Sequence, residues 1–292
     1  MRTWTPRHVS HKEMTMIKEL LEDVTAFARL GIEERKSLGR SIAAALGDGW
    51  SADDPAEDLD ALPLAHQPTG LSFVVVPGGA FEMGLTEDDL AELRTTMGEA
   101  WDDDIAASLE RDAARLRPVR RVQVRPFLVA RGYLQAEEVE RLSGGRFQGD
   151  YCYRLGWGDA RQLAASHGFR LASEAELEWL ARDGGRSRFT LDAARKLEEI
   201  EGDSELLRSR FGVLDLFETQ WAEDDYHPSY EGAPDTSVPW MNGAGTGVAR
   251  GLSRPEYVEE PHQITGLLAA LRTNETQKEA CVRFARDLPS RG

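Results

Sequence analysis

Thiols, imidazoles and clustered carboxylates are the groups in this chain that could hold a metal or move a proton. There are two cysteines, Cys152 and Cys281. One pair cannot build a disulfide framework, and their separation fits no metal-ligand spacing. Cys281 reads as a small buried hydrophobe. His227, His262, Glu256, Asp224 and Asp225 are the residues an altered, metal-dependent chemistry would draw on, and they share only the C-terminal half of the chain. Asp102, Asp103 and Asp104 read as a solvated loop. Gly78-Gly79 reads as a hairpin turn, because no Gly-Lys-Ser follows to cradle a phosphate. Ser173 stands three residues before Glu176, the spacing of a capping box rather than of a nucleophile. His167 falls at a helix end, where it would meet the helix dipole.

The elements that must position these groups follow from periodicity and turn residues. Ser10 and Glu13 have capping-box spacing. Ile17, Leu20, Leu21, Val24 and Phe27 then fall on one helical face, which Gly31 closes. A second helix carries Leu38, Ile42, Ala45 and Leu46 and stops at Gly47. Two short amphipathic helices cannot bury their stripes alone. They pack on the main domain, on each other or on a partner. Residues 48–68 are acidic, hold three prolines and read as a linker with solvated carboxylates. The expected division is a helical extension over 1–47, the linker over 48–68 and a main domain over 69–292. Within that domain, Leu71 to Gly84 reads as a strand, a Pro-Gly-Gly turn and a strand. Helices are expected over 87–116, 135–142 and 159–167, after Ser173, and over 190–208. Beyond Phe211, turns and short strands dominate. The class is α+β, with no internal repeat.

Composition bounds the partners. The 292 residues carry 51 acidic and 35 basic side chains, a formal charge of −16. Such a chain is repelled by phosphate backbones, so nucleic acid is excluded as an expected partner. Apolar residues make up 41%, enough for a packed core. The start has no apolar run of the secretory kind, and the longest apolar stretch is too short to span a bilayer. A cytoplasmic protein with reduced thiols, and no membrane partner, is the expectation.

Several stretches, in order, resemble the formylglycine-generating enzyme, or sulfatase-modifying factor, family. They are Val76-Pro-Gly-Gly-Ala-Phe-Glu-Met-Gly84, Arg117-Pro-Val-Arg-Arg-Val-Gln-Val-Arg-Pro-Phe127, Gly156-Trp-Gly-Asp-Ala160, Arg170-Leu-Ala-Ser-Glu-Ala-Glu-Leu-Glu-Trp179, Phe211-Gly-Val-Leu-Asp-Leu216, Val248-Ala-Arg-Gly-Leu-Ser-Arg254, Leu271-Arg-Thr-Asn274 and Cys281-Val-Arg-Phe-Ala-Arg286. The resemblance implies the C-type-lectin-like fold as elaborated in that family, with Phe211 to Leu216 as a strand.

The departures from the family pattern carry the functional expectation. Family oxidases bind copper(I) between two cysteines, a donor pair suited to a soft metal. Those positions fall here near Glu256 and Pro261, which offer no thiolate. The family's calcium-holding Asn and Glu are replaced by Thr219 and Ala222, and calcium needs six to eight oxygen ligands. Glu218, Glu223, Asp224 and Asp225 read as a solvated acidic turn. A related branch holds non-haem iron with three histidines. His8, His11 and His262, with Glu13, are the groups that could be compared with it, and plain N-terminal polar residues are the other reading of the first two. The expectation is therefore a non-catalytic binding or scaffold protein with no cofactor and a protein partner. Trp240, Asn242, Tyr257, His262 and Asn274 are its candidate contact residues. The face of Ile17, Leu20, Leu21, Val24 and Phe27 is a candidate partner anchor. A metal-dependent oxidoreductase of the non-haem iron type is the alternative.

Overall fold

The computed structural model describes residues 11–97, 107, 110, 113–149, 153–188, 208–216, 218–243, 245–251 and 278–289. The helical insertion expected over 190–208, the Asp102 to Asp104 run and Cys152 lie outside the described residues, or nearly so.

A six-stranded antiparallel sheet is the spine. Its strands are β1 (Trp50–Ala52), β2 (Pro63–His66), β3 (Leu71–Val76), β6 (Phe127–Ala130), β12 (Phe284–Asp287) and β8 (Arg170–Leu171), adjacent in that order. The β3 sequence Leu-Ser-Phe-Val-Val-Val does not alternate cleanly because both faces of the sheet are covered. Val74 and Val76 join one core cluster, with Phe127 and Val129 of β6. Leu71, Phe73 and Val75 join the other, with Leu128 and Ala130. A period of two thus survives in where each side chain goes, while both sets are apolar.

The N-terminal helices cover one face of this sheet. α1 (His11–Leu21) and α3 (Ile32–Leu46) flank a single turn, α2 (Val24–Phe27), capped by the Asp23 carboxylate, which accepts from Thr25 N and Ala26 N. Ile17, Leu21, Phe27, Leu38 and Ile42 are buried against β2, β3 and β6, and Leu20 packs partly buried beside them. Val24 packs on the other cluster. The chain also bonds here through its backbone: Gly78 N donates to Leu21 O at 2.7 Å and Val24 N to Gly78 O at 3.0 Å. The candidate partner anchor is therefore corrected. Ile17, Leu20, Leu21 and Phe27 face the chain's own sheet and Val24 faces the other core cluster, where short stripes leave water without a partner.

Residues 48–68 are also not a linker. β1 and β2 are strands of the main sheet, and Trp50 packs on His66 and Phe73 at 4.5 and 5.1 Å between ring centroids. The carboxylates of Asp53, Asp54, Glu57 and Asp58 are exposed to solvent as expected, and Asp60 is partly buried beside Arg210. Pro63 opens β2, a position a sheet tolerates, while Pro55 and Pro68 lie in the connections that follow β1 and β2.

The other face carries a two-stranded ribbon, β4 (Gly79–Met83) with β5 (Arg120–Val124), and the helix α7 (Glu174–Ala181). Ser173 caps α7 as expected: its hydroxyl accepts from Glu176 N and Glu176 accepts from Ser173 N. Trp179 is buried and donates its indole N–H to Pro77 O at 3.0 Å. A Cβ at Gly79 would lie 2.7 Å from that indole, so glycine is required for β4 to approach the helix. The hairpin expected at Gly78-Gly79 is not formed, because β3 pairs with β2 and β6 whereas β4 pairs with β5. α4 (Glu87–Met97), α5 (Ala136–Leu142) and α6 (Trp157–Ser166) complete the helices. His167 closes α6, and its ring bonds Leu142 O at 2.9 Å.

A second sheet runs β10 (Gly247–Arg250), β9 (Gln220–Asp225), β11 (Ala280–Cys281), β7 (Arg154–Leu155). β9 and β11 are parallel, and the other pairs are antiparallel. The strand expected at Phe211 to Leu216 is not formed; strand pairing begins at Gln220. The whole is α+β, as read from sequence. Among the described residues no helix is long and apolar enough to cross a membrane.

Candidate functional site

The acidic residues expected on a solvated turn lie on or beside β9 and are buried. Glu218, Asp224 and Asp225 are nearly sealed from solvent, and Glu223 is half-buried. Each has a specific task. Glu218 lies 3.5 Å from Arg154. Glu223 accepts from Arg161 Nε at 2.7 Å and from Leu171 N at 3.0 Å, tying β9 to β8 and α6. Sequence could not show this, because Glu218 to Asp225 is mostly polar and acidic, as a turn would be. Backbone pairing with β10 on one side and β11 on the other makes it a strand.

Asp224 and Asp225 hold the loop that follows. Asp224 Oδ1 accepts from Trp240 N at 2.8 Å and Oδ2 from Glu174 N at 2.7 Å, so one carboxylate joins loop and helix. Burial, with Glu174 adding to it, pushes the Asp224 carboxyl up to about 7. Asp225 Oδ2 accepts from Asn242 N at 2.6 Å and Gly243 N at 2.7 Å. Its Oδ1 is buried with no hydrogen-bond partner among the described residues.

His227 completes the loop's support. It lies flat on Trp240, with ring centroids 3.4 Å apart and planes within 2°. Its Nδ1 meets Asp225 O at 3.0 Å and its Nε2 meets Asn242 Nδ2 at 3.0 Å. A carbonyl can only accept, so Nδ1 carries the proton and Nε2 accepts from the amide. Neither nitrogen is left over for a metal or a substrate in this arrangement. Among the described residues no three His, Cys, Asp or Glu side chains gather as a metal site would require.

Trp240 and Asn242 from one sequence hypothesis, and Asp224, Asp225 and His227 from the other, thus meet in a single structure. It is a strut under a surface loop. The loop over 237–243 turns Val238 and Met241 outward, 49% and 45% exposed, with Trp240 half-buried between them. Tyr257, His262, Asn274 and Glu256 lie outside the described residues, as do His8 and Pro261. His11 and Glu13 begin α1, and their side chains are likewise outside the description.

A buried ionic network behind the loop was not read from sequence. Arg250 Nη2 donates to Glu178 at 2.8 Å, and its Nη1 approaches Glu174 at 3.3 Å and Tyr230 Oη at 3.0 Å. Arg182 takes the other Glu178 oxygen at 2.9 Å. Burial alone would make the Arg250 guanidinium easier to deprotonate, but Tyr230, Glu178 and Glu174 outweigh it and raise its pKa. The available signal was the i, i+4 spacing of Glu174 and Glu178, which puts both on one face of α7. Two further buried groups flank β9. The Thr219 hydroxyl donates to Gly251 O at 3.3 Å, and Ala222 O accepts the Trp157 indole N–H at 2.9 Å.

No protein-family model matches the chain, and no curated protein matches it. Among solved structures, 31 chains do. One is PvdO from Pseudomonas aeruginosa, with a TM-score of 0.52 over 75% of this chain and 95% of that one. The chain shares its fold with PvdO. At 20% identity the likeness to PvdO is one of fold alone, and the side chains above speak for themselves.

Proposed function

We propose that this chain is a non-catalytic binding protein on a formylglycine-generating-enzyme-like scaffold, engaging a protein partner through the 237–243 loop. One observation carries the reading. The residues able to do chemistry, Asp224, Asp225 and His227, hold Trp240 and Asn242 in place, while Val238 and Met241 face solvent. Apolar side chains on a braced loop suit protein recognition, because little ordering entropy is lost on binding.

The groups that the scaffold would use elsewhere do not fit here. At the calcium positions, the Thr219 hydroxyl is turned to Gly251 O, and Ala222 has no side-chain oxygen and a carbonyl already taken by Trp157. At the copper positions, Glu256 and Pro261 carry no sulfur.

The test is capture of a cross-linked partner by the full chain in its source cells, compared with Met241→Asp. Met241 is exposed, so the variant should keep the wild-type melting temperature and lose the partner. Capture unaffected by Met241→Asp would refute the loop as the surface. Copper or iron bound one-to-one in the purified chain would refute the non-catalytic reading.

A further inference from the structure

A cavity of about 330 Å3 opens beside the loop and shares Ser237, Val238 and Pro239 with it. Its size is at the lower end for small-ligand pockets. It forms where α1 crosses the corner between β5 and β6, and where the end of β12 meets the loop.

The charges lining it divide into two groups. Arg170 gives both terminal nitrogens to Glu176, each at 2.7 Å, and one of them also to Asp287 at 2.6 Å. Against the effect of burial, which lowers it, Glu176 and Asp287 raise the Arg170 pKa, so its guanidinium stays charged and is already satisfied by these two carboxylates. Lys18 of α1 and Arg125 of the corner line the same cavity, and among the described residues neither has an acidic partner. Lys18 is half-buried and Arg125 exposed. Glu22, one turn along from Lys18, is also on the wall and disfavours a doubly charged anion. Val238, Pro239 and Leu288 supply an apolar side.

We propose that this cavity binds a carboxylate borne on a short apolar stem. Lys18 and Arg125 take the carboxylate, and Val238, Pro239 and Leu288 take the stem. Arginine and lysine together suit a singly charged, planar anion, since the guanidinium matches both carboxylate oxygens. The carboxylate could belong to a small organic acid or to a peptide C-terminus. The site does not depend on the loop being a partner surface, because none of its charged groups belongs to the loop.

The test is titration calorimetry on the full chain with three probes: octanoate, the tripeptide acetyl-Ala-Val-Leu with a free C-terminus, and the same tripeptide as its amide. The free acids should bind, with the amide at least ~10-fold weaker, the difference expected for loss of a charge-assisted pair. Tighter binding of octanoate than of the tripeptide would assign the site to small acids, and the reverse to peptide termini. Arg125→Ala and Lys18→Ala should each weaken the acids several-fold with unchanged melting. Equal affinity for acid and amide, no binding at several millimolar, or wild-type affinity in both variants would overturn the proposal. Met241 is not part of the cavity lining, so Met241→Asp should leave probe binding intact. A failure here is thereby distinguishable from a failure of the partner reading.

Discussion

Asp224 shows how far a single residue's role can move between sequence and structure. In sequence it is one acid of four and reads as solvated. In the fold it is fully enclosed, and its carboxyl is pushed up to about 7 from an ordinary 3.8 by burial, then by Glu174. Between those values the unfolded chain has lost the proton while the folded chain keeps it. Its contribution to stability is therefore greatest below the unfolded value and falls as pH rises toward 7. Urea unfolding of wild type and Asp224→Asn from pH 4.5 to 8 should show the difference. The variant should lose a downward slope on the order of 1 kcal/mol per pH unit between pH 4.5 and about 7, with no difference in slope above that. Parallel pH profiles would contradict the assignment. Cys281 behaves as the sequence suggested. It is buried in β11, and burial, followed by Glu218, pushes its thiol up to about 12. Iodoacetamide should leave the Cys281 peptide unlabelled in the native protein and modify it in urea, as read by mass spectrometry.

At the scale of elements, helix existence was legible and helix purpose was not. The stripe Ile17, Leu20, Leu21, Val24, Phe27 is visible as periodicity, and periodicity says only that the face leaves water. What covers it is a tertiary matter. Leu21 is wholly buried, and its carbonyl also accepts from Gly78 N. Leu21→Asp should thus destabilise the fold by about 3 kcal/mol or more, measured by denaturant unfolding, rather than release a partner from an intact protein. A folded variant of wild-type stability would restore the partner-anchor reading. The capping box at Ser173 was fully legible, because both of its bonds are local. The strand at β9 was not, since nothing local distinguishes a buried acidic strand from an exposed acidic turn. The carboxylates of β9 find partners far along the chain, at Arg154, Arg161, Glu174 and Trp240. The same holds for the candidate site: Trp240 and Asn242 were picked as loop amides and aromatics, but their partner His227 could be found only in space.

For the whole molecule, the expected boundary at residue 69 dissolves. α1, α3, β1 and β2 bury Leu64, Leu71, Phe73 and Leu128 together with their own apolar faces. A fragment starting at 69 would expose a strand edge at β3 and the apolar face behind it, an aggregation template. The fragment over 69–292 should fail to give a cooperative thermal transition, whereas the full chain should give one. A well-folded fragment would show that the N-terminal segment is a separate unit after all. The buried network is the other global tie. Arg250→Met would leave Glu174 and Glu178 short of a cation in the interior and should cost about 3–5 kcal/mol in denaturant unfolding.

The sequence by itself determined the α+β class, the capped helix at Ser173, the strands on either side of Gly78 and the inert setting of Cys281. Each of these rests on spacing over a few residues or on the ordinary burial of a residue type. Tertiary structure alone decided what the N-terminal stripe packs on, that residues 48–68 are strands, and that acids on β9 brace a loop. It also decided where Lys18 and Arg125 meet around a cavity. Those outcomes depend on contacts between segments many tens of residues apart, and no local pattern encodes which distant group will supply the missing partner.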